Sequence, residues 1–521
     1  MSLFKRAINK KKELSIMIIG VMTFFLDCHA VPLYNIQDTQ PFHTVKGSDK
    51  YYSARESSCI QLHLSPYHQH AKSGRNAMGG KVPIGDIYGK WNMFGVFFGP
   101  GGKPVGTTLA NFPHLSASQT AIAALQTSTT PLTSIYTGIN YTTDIPVPGG
   151  TPVFDPIRDT VGTYESVYVR YERIGLRGQM SFDFKFGLGL GIRTGFADYK
   201  QKPEFNLTND FRKLSGLSYF DIKEDETIDF TKQKPPLPTV AQLPAGTPYS
   251  GPAQASSSAP NAIDAGAQVI LLNLMDDKSR NFIAKDLGLD LGEVRESKWE
   301  DSHLYLYWQY PFDLADKEGD FSCSIIPYIS VGVWLPTGEE RDQDKQFSIA
   351  TGNDGFTMFT LDGALSFDFP KMLQTSFGAG LMFANKRELS NQRVPTDIYQ
   401  TGIIPWKTSL HKHPGLTWYL NASFKADDFI STLSFYFDWL YTRHLKDSLT
   451  LRETDPVRNT AFSIGIPILE RDSEWKNQQV NFGFNYKVTP FLAFGFGLQS
   501  YISGVRVYRT TTVMGTIDLT F

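Results

Sequence analysis

The chain has 521 residues, and 50 Lys+Arg stand against 52 Asp+Glu for a net charge of −2. That balance excludes the basic excess that nucleic-acid binding demands, and three cysteines make no disulfide framework. Hydrophobic residues are only 41%, yet aromatics reach 13% and glycine 44 residues, which suits many half-apolar strands better than buried helices.

In chain order, the first segment is MSLFKRAINKKKELSIMIIGVMTFFLDCHA. Lys5, Arg6, Lys10, Lys11 and Lys12 precede an apolar run from Leu14 to Leu26, and small Cys28 and Ala30 stand before Val31. This layout predicts an export signal peptide over 1–30. The apolar run is short for a membrane span. Residues 31–56 are then an N-terminal periplasmic or plug segment, and 57–521 the main body. CIQLHLSPYHQH (59–70) and WNMFGVFFG (91–99) each have strand character. Within the first, His63, His68 and His70 form H-x4-H-x-H. Imidazoles bind transition metals, but no Cys or carboxylate ligand is close in sequence, so no metal site is expected there. The same holds for His411 and His413. Residues 100–163 are rich in Gly, Pro, Ser and Thr, with a short helical pattern at 118–126.

From residue 164 the pattern becomes regular. LRGQMSFDF sets Leu176, Met180, Phe182 and Phe184 against Arg177, Gln179, Ser181 and Asp183. Side chains alternate faces along a strand, so each such stretch is a strand with one apolar and one polar face. FGLGLGIRTGF follows after Lys185, and opposes Phe186, Leu188, Leu190, Ile192 and Phe196 to glycines and Arg193. Residues 200–300 interrupt the pattern. PPLPTVAQLPAGTPYSGPAQASSSAP (235–260) has linker composition, and Ile270, Leu271, Leu274, Phe282, Ile283 and Leu287 show roughly helical spacing. Strand pairs resume with LYLYWQY (304–310) and CSIIPYISVGVWL (323–335), then FTLDGALSFDF and LQTSFGAGLMF, LTWYLNASF and LSFYFDWLY, and VNFGFNYKV and FLAFGFGLQ. The last strand, TTVMGTIDLTF, keeps Val513, Ile517, Leu519 and Phe521 on one side.

The connections carry information too. Those near 185, 312–320, 370, 426 and 489 are short; those near 200–300, 336–355, 385–413 and 445–475 are long. Short and long alternate, as in outer-membrane barrels with short periplasmic turns and longer outer loops. A soluble sandwich would need a second sheet for every apolar face and protection for its edges. The expected fold is therefore all-β, a transmembrane antiparallel up-and-down β-barrel of about 14 strands, with 12 as the fallback, and a partly helical long insert at 200–300. An even count brings both ends to one side.

The leader, the alternating strands and the terminal strand ending in Phe521 resemble bacterial outer-membrane β-barrel proteins, at the level of the class. The resemblance implies an outer-membrane location after Sec-type export, contact with outer-membrane lipid, and recognition of Ile517, Leu519 and Phe521 by the barrel-assembly machinery. It also implies a porin-like channel or transporter for passive uptake of small molecules, with no catalysis and no cofactor. A fatty-acid-transporter-like variant would suit a plug at 31–56, but its Asn-Pro-Ala plug motif is missing near the start of that segment. Arg170, Glu172, Arg177, Asp183 and Arg193 are the candidate luminal selectivity residues, since rings of charge bias which solutes pass. The competing reading of the same five is ion pairs that hold the barrel together. The alternatives to a channel are a non-conducting surface barrel that displays its loops, and a barrel enzyme. No G-x-S-x-G, H-E-x-x-H or P-loop is present to support the last. Solute and oligomeric state are not legible.

Overall fold

The computed structural model describes residues 59–91, 164–207, 281, 284–285, 287–315, 322–369, 373–396, 400–430 and 432–521. The expected signal peptide, the 31–56 segment, the strand at 92–99, the helix at 118–126 and the Pro-rich linker lie outside them. Of the helical pattern in the insert, residues 281, 284 and 285 are described and helical, whereas Leu287 lies in a turn.

Twelve strands form the body: β1 (Cys59–Ala71), β2 (Tyr164–Asp183), β3 (Leu188–Leu207), β4 (Ser302–Gln309), β5 (Ser322–Leu335), β6 (Met358–Phe369), β7 (Leu373–Ala384), β8 (Thr417–Ile430), β9 (Leu433–His444), β10 (Trp475–Thr489), β11 (Leu492–Val505) and β12 (Thr511–Thr520). Each pairs antiparallel with the next, and β12 pairs with β1 to close the ring. At the seam Ile60 and Phe521 exchange backbone hydrogen bonds of 3.1 and 2.8 Å. Closure leaves no edge in the ring.

The favoured count of fourteen is corrected to twelve. Residues 164–183 are one strand, paired with β3 without a break from Ser166 to Asp183. Two further strands, Val294–Trp299 and Phe312–Ala315, lie along β3 and β5 but do not take part in the closure. They raise the sheet to fourteen strands while the ring keeps twelve.

The faces alternate as the sequence predicts. Leu176, Phe196, Phe377, Phe437, Phe484, Phe494 and Phe496 are exposed on the outside, while Ser181, Asp362, Ser366, Asn481 and Thr512 are buried on the inside. Apolar-out and polar-in reverses the order of a water-soluble protein and fits an outer wall in hydrocarbon. No helix among the described residues is long and apolar enough to cross a membrane.

Glycines on the inner face are packing devices. Gly189, Gly191 and Gly380 stand directly opposite Tyr307, Tyr305 and Tyr419 across the ladder. A Cβ at these positions would lie 2.1, 2.2 and 2.3 Å from the tyrosine rings. Each ring thus lies flat over a gap that only glycine leaves. Gly191→Val is expected to force Tyr305 off the wall at a cost of about 1–3 kcal/mol. A fall in the urea midpoint of the lipid-embedded barrel would show it, and an unchanged midpoint would contradict this packing.

The two ends differ. Short connections gather at one, where Phe186 and Gly187 turn with positive φ of 72° and 81°. The long connections at the other end build a roof. Strands Arg387–Arg393, Lys407–His413 and Ser448–Leu451 form a small sheet beside helices α1 (Pro456–Ser463) and α2 (Ile466–Ser473). Asp455 caps α1 by accepting from the Val457 and Arg458 amides, and Pro456 begins the helix. The roof shares one apolar core with the ring. Leu389, Leu410, Leu449, Phe462 and Leu469 pack with Met358, Met382, Tyr419 and Leu440 from the inner faces of β6 to β9.

Candidate functional site: the lumen and its roof

Three of the five predicted luminal residues face inward. Arg177 donates to Glu300 at 2.8 Å and its guanidinium lies 4.7 Å from the centre of the Tyr67 ring. Arg173 also binds Glu300, and the Tyr67 hydroxyl donates to the same carboxylate at 2.7 Å. Asp183 accepts from the Tyr307 hydroxyl. Arg193 donates to Gln179 at 2.7 Å and lies 4.8 Å from the Tyr305 ring centre. These contacts match ion pairs and cation–π contacts that stiffen the wall, while still presenting charge to the lumen.

Arg170 and Glu172 are corrected to the outer face. The Arg170 side chain is 73% exposed and pairs loosely with Glu204 at 3.9 Å, and Glu172 meets His68 at 3.0 Å. Because β2 is unbroken, these residues share a face with exposed Ile174 and Leu176, opposite to Arg177 and Asp183. The histidine motif divides in the same way. His63 points inward to Asp518 at 2.5 Å, while His68 and His70 are outside. No group of three or more metal-ligating side chains occurs among the described residues. The expected assembly signal lies at the seam, with Phe521 exposed.

Sequence reading missed most of the inner wall. Glu300 sits in a connection, and only folding brings it to Arg173, Arg177 and Tyr67. Asp362 accepts from Tyr419 and, at 2.9 Å, from Ser330, all on different strands. Polar positions in LYLYWQY and FTLDGALSFDF are visible in sequence, but which of them meet is not. The wall is closely covered: Tyr305 and Tyr307 are each 3% exposed.

The roof joins opposite sides of the mouth. Lys90 and Trp91 follow β1, whereas Thr401 and Gly402 lie between β7 and β8, halfway around the ring. The Thr401 hydroxyl donates to the Lys90 carbonyl at 2.5 Å. Trp91 stacks on Phe347 at 5.6 Å, and its indole N–H donates to Gly85 at 2.7 Å. Arg393 ties three connections together. It donates to the carbonyls of Gln343, Ile404, Pro405, Leu287 and Gly288 and to Asp344.

A second polar centre anchors the roof to β8 and β9. Thr417 and the His444 Nδ1 are 2.8 Å apart, and the His444 Nε2 lies 3.0 Å from Asp447. Asp447 also meets Lys412 at 3.1 Å, with both side chains 1% exposed. A hydroxyl, imidazole and carboxylate in series have the order of a hydrolytic relay. Here the hydroxyl is buried and a lysine faces the carboxylate, so the contacts tie β8, β9 and the roof together.

Acid should loosen the roof. Burial raises the Asp344 pKa, but hydrogen bonds from Lys407 and Arg393 outweigh it and hold the carboxyl below its ordinary value. Glu296, beyond the ring, is likewise opposed by burial but held down to about 2 from 4.5 by Lys298, Lys345 and Tyr199. Depressed carboxylate pKa values contribute stability that is present above the unfolded pKa and lost as pH falls through the folded one. Hydrogen exchange in 336–357 and 385–416, corrected for intrinsic rates, is therefore expected to accelerate below about pH 4. Protection unchanged down to about pH 2 would contradict it.

No family model matches the sequence, and no curated protein matches it. Solved structures do show a likeness. An outer membrane channel from Pseudomonas putida F1 is 8% identical, with 92% of this chain and 100% of that one covered at a TM-score of 0.42. The transport unit of the autotransporter AIDA-I from Escherichia coli is 7% identical, covering 89% of each chain at 0.29. The P. putida toluene transporter TodX is 7% identical, covering 90% of each chain at 0.26. At such identities and TM-scores the closed antiparallel ring rests on the chain's own strand pairing.

Proposed function

We propose that this chain is an outer-membrane channel that lets small polar solutes pass down their gradients, with its roofed end outward and its short turns toward the periplasm. The observation that carries the reading is the closed ring, with apolar side chains outside and paired charges, hydroxyls and amides inside. A wall of that polarity needs water or solute beside it. Passage would run beneath the roof, so conductance should be small and set by loop motion, unlike that of a wide pore. The reading includes export through a cleaved 1–30 leader and assembly guided by Ile517, Leu519 and Phe521. Burial of the Thr417, His444 and Asp447 relay supports a non-catalytic role.

The test is single-channel recording of the folded protein in planar bilayers. Discrete steps that reverse at a potential set by the salt gradient would support the channel. A correctly folded, heat-modifiable barrel that never conducts would favour the second reading, a surface barrel that displays its roof. What favours that reading is the continuous apolar core between roof and ring over β6 to β9.

A further inference from the structure

Two stretches that reach the roofed end carry cations and no carboxylate. Neither residues 59–85 nor residues 475–517 contain an Asp or Glu. Folding brings their outer connections together: Gly74–Arg75 pairs antiparallel with Lys81–Val82 on one side and with Val507–Tyr508 on the other. In that register Arg75 stands directly opposite Lys81. The Arg509 amide donates to the Ser73 carbonyl at 2.9 Å, which closes the small sheet onto the end of β1. By contrast, the connection 336–357 mixes both signs, and its acids have cations beside them: Glu340 meets Arg387, and Asp344 meets Arg393 and Lys407.

The cations converge on one ring. The guanidinium carbons of Arg75 and Arg509 each lie 5.8 Å from the centre of the Tyr501 ring, so they are no more than twice that apart. The Arg75 Nε also donates to the Tyr501 hydroxyl at 3.1 Å. Facing side chains in a sheet start about 5 Å apart, and like charges directly opposite are destabilising, as Arg75 and Lys81 are here. Lys72 and Lys81 are exposed, and Arg75 and Arg509 are half-buried, so solvent reaches all four. None of them pairs with a carboxylate among the described residues. A surface that holds like charges this close suits an anion with several acceptor oxygens, which guanidinium forks grip in pairs.

The neighbourhood favours an anion fixed to a lipid. Ile502, beside Tyr501, is 45% exposed and follows Phe494 and Phe496 on the exposed outer face of β11. The apolar wall therefore reaches the foot of the cluster, at a tyrosine, and tyrosines are enriched where hydrocarbon gives way to headgroups. Met78, in the turn of the hairpin, is 95% exposed. Asn76 fixes that turn by accepting from the Met78 and Gly80 amides at 3.0 and 2.9 Å. We propose that Lys72, Arg75, Lys81 and Arg509 form a rim site for the phosphate groups of an outer-leaflet lipid. The inference rests on the channel reading for its outward roof, but lipid binding can be measured whether or not the barrel conducts. The arginines grip phosphate oxygens, the lysines add charge, and Met78 offers an apolar contact.

The experiment uses the full folded chain in neutral detergent, titrated with lipid A, a phosphorylated glycolipid, and read by native mass spectrometry. Saturable binding is expected, weakened about tenfold or more in Arg75→Gln with Arg509→Gln, as for lost charge-assisted hydrogen bonds. Lys72→Gln with Lys81→Gln alters only exposed side chains, so its fold is not at risk, and binding should fall severalfold. Arg471→Gln, whose parent guanidinium is already engaged by Asp472 at 3.0 Å, should bind as the parent does. Dephosphorylated lipid A should bind poorly. Absence of saturable binding, equal binding of the dephosphorylated lipid, parent-like binding by the lysine variant, or an equal loss in Arg471→Gln overturns the proposal. Displacement by inorganic phosphate at the lipid's own concentration overturns the lipid source and leaves a site for free anions. A barrel that binds the lipid yet never conducts defeats the channel reading alone, whereas one that conducts without binding it defeats this proposal alone.

Discussion

Arg393→Ala is expected to release the roof while leaving the ring folded. The Arg393 side chain is 3% exposed, and its guanidinium bridges the connections before β4, before β6 and before β8. Burial lowers the Arg393 pKa, though Asp344 pulls the other way. Arginine nonetheless stays charged in proteins. The charge is stabilised by carbonyl dipoles and one carboxylate, and no other side chain can reach so many acceptors in that planar arrangement. Alanine leaves those carbonyls unmet, at a cost of about 3–5 kcal/mol if the loss resembles a broken buried pair. Trypsin should then cut within 336–357 and 385–416, while the ring keeps its heat-modifiable mobility in detergent gels. If the barrel is a channel, its open time should lengthen. Arg393→Lys should recover little, because an ammonium has three donors and no fork. Parent-like proteolysis of Arg393→Ala would show that the connections hold together without the clamp.

The second large effect is expected at Asp447. Its carboxylate accepts from the Gly415 amide at 2.8 Å, lies 3.0 Å from the His444 Nε2, and faces Lys412 at 3.1 Å. Burial lowers the Lys412 pKa, with Asp447 opposing that shift, and the ammonium lies 5.8 Å from the Phe356 ring centre inside the roof core. Asp447→Ala strands that ammonium among apolar groups, a loss of about 3–5 kcal/mol. The double change Lys412→Met with Asp447→Leu should recover a good part, since apolar residues of similar volume often replace a buried pair without loss. The urea midpoint of roof unfolding is the measurement. A single variant as stable as the parent would mean that Lys412 reaches solvent. A double variant no better than the single one would assign the loss to the Gly415 and His444 bonds.

The barrel was legible because its signal is local. Phe494, Phe496 and Leu498 declare one face of β11 by spacing alone, and the short turn before Leu492 declares its partner. Strand count was less legible. A long strand such as Tyr164–Asp183 and two short ones have the same pattern of alternation, whereas the side strands Val294–Trp299 and Phe312–Ala315 fall in stretches that read as insert and connection. The face of Arg170 and Glu172 followed from the same point: reading a break into β2 would flip every residue beyond it. In sequence the roof is only a set of long connections, because its core draws on residues from five separate stretches.

By itself, the sequence determined that apolar and polar side chains alternate over paired strands with short and long connections. Period-two alternation is a property of neighbouring residues, and hydrocarbon outside with water inside is what satisfies it. Only the tertiary structure decided that twelve strands close the ring, that Glu300 meets Tyr67 across 233 residues of chain, and that Arg393 gathers three connections. Those outcomes depend on cross-strand register and loop packing, which arise from contacts between distant residues and leave no local periodicity to read.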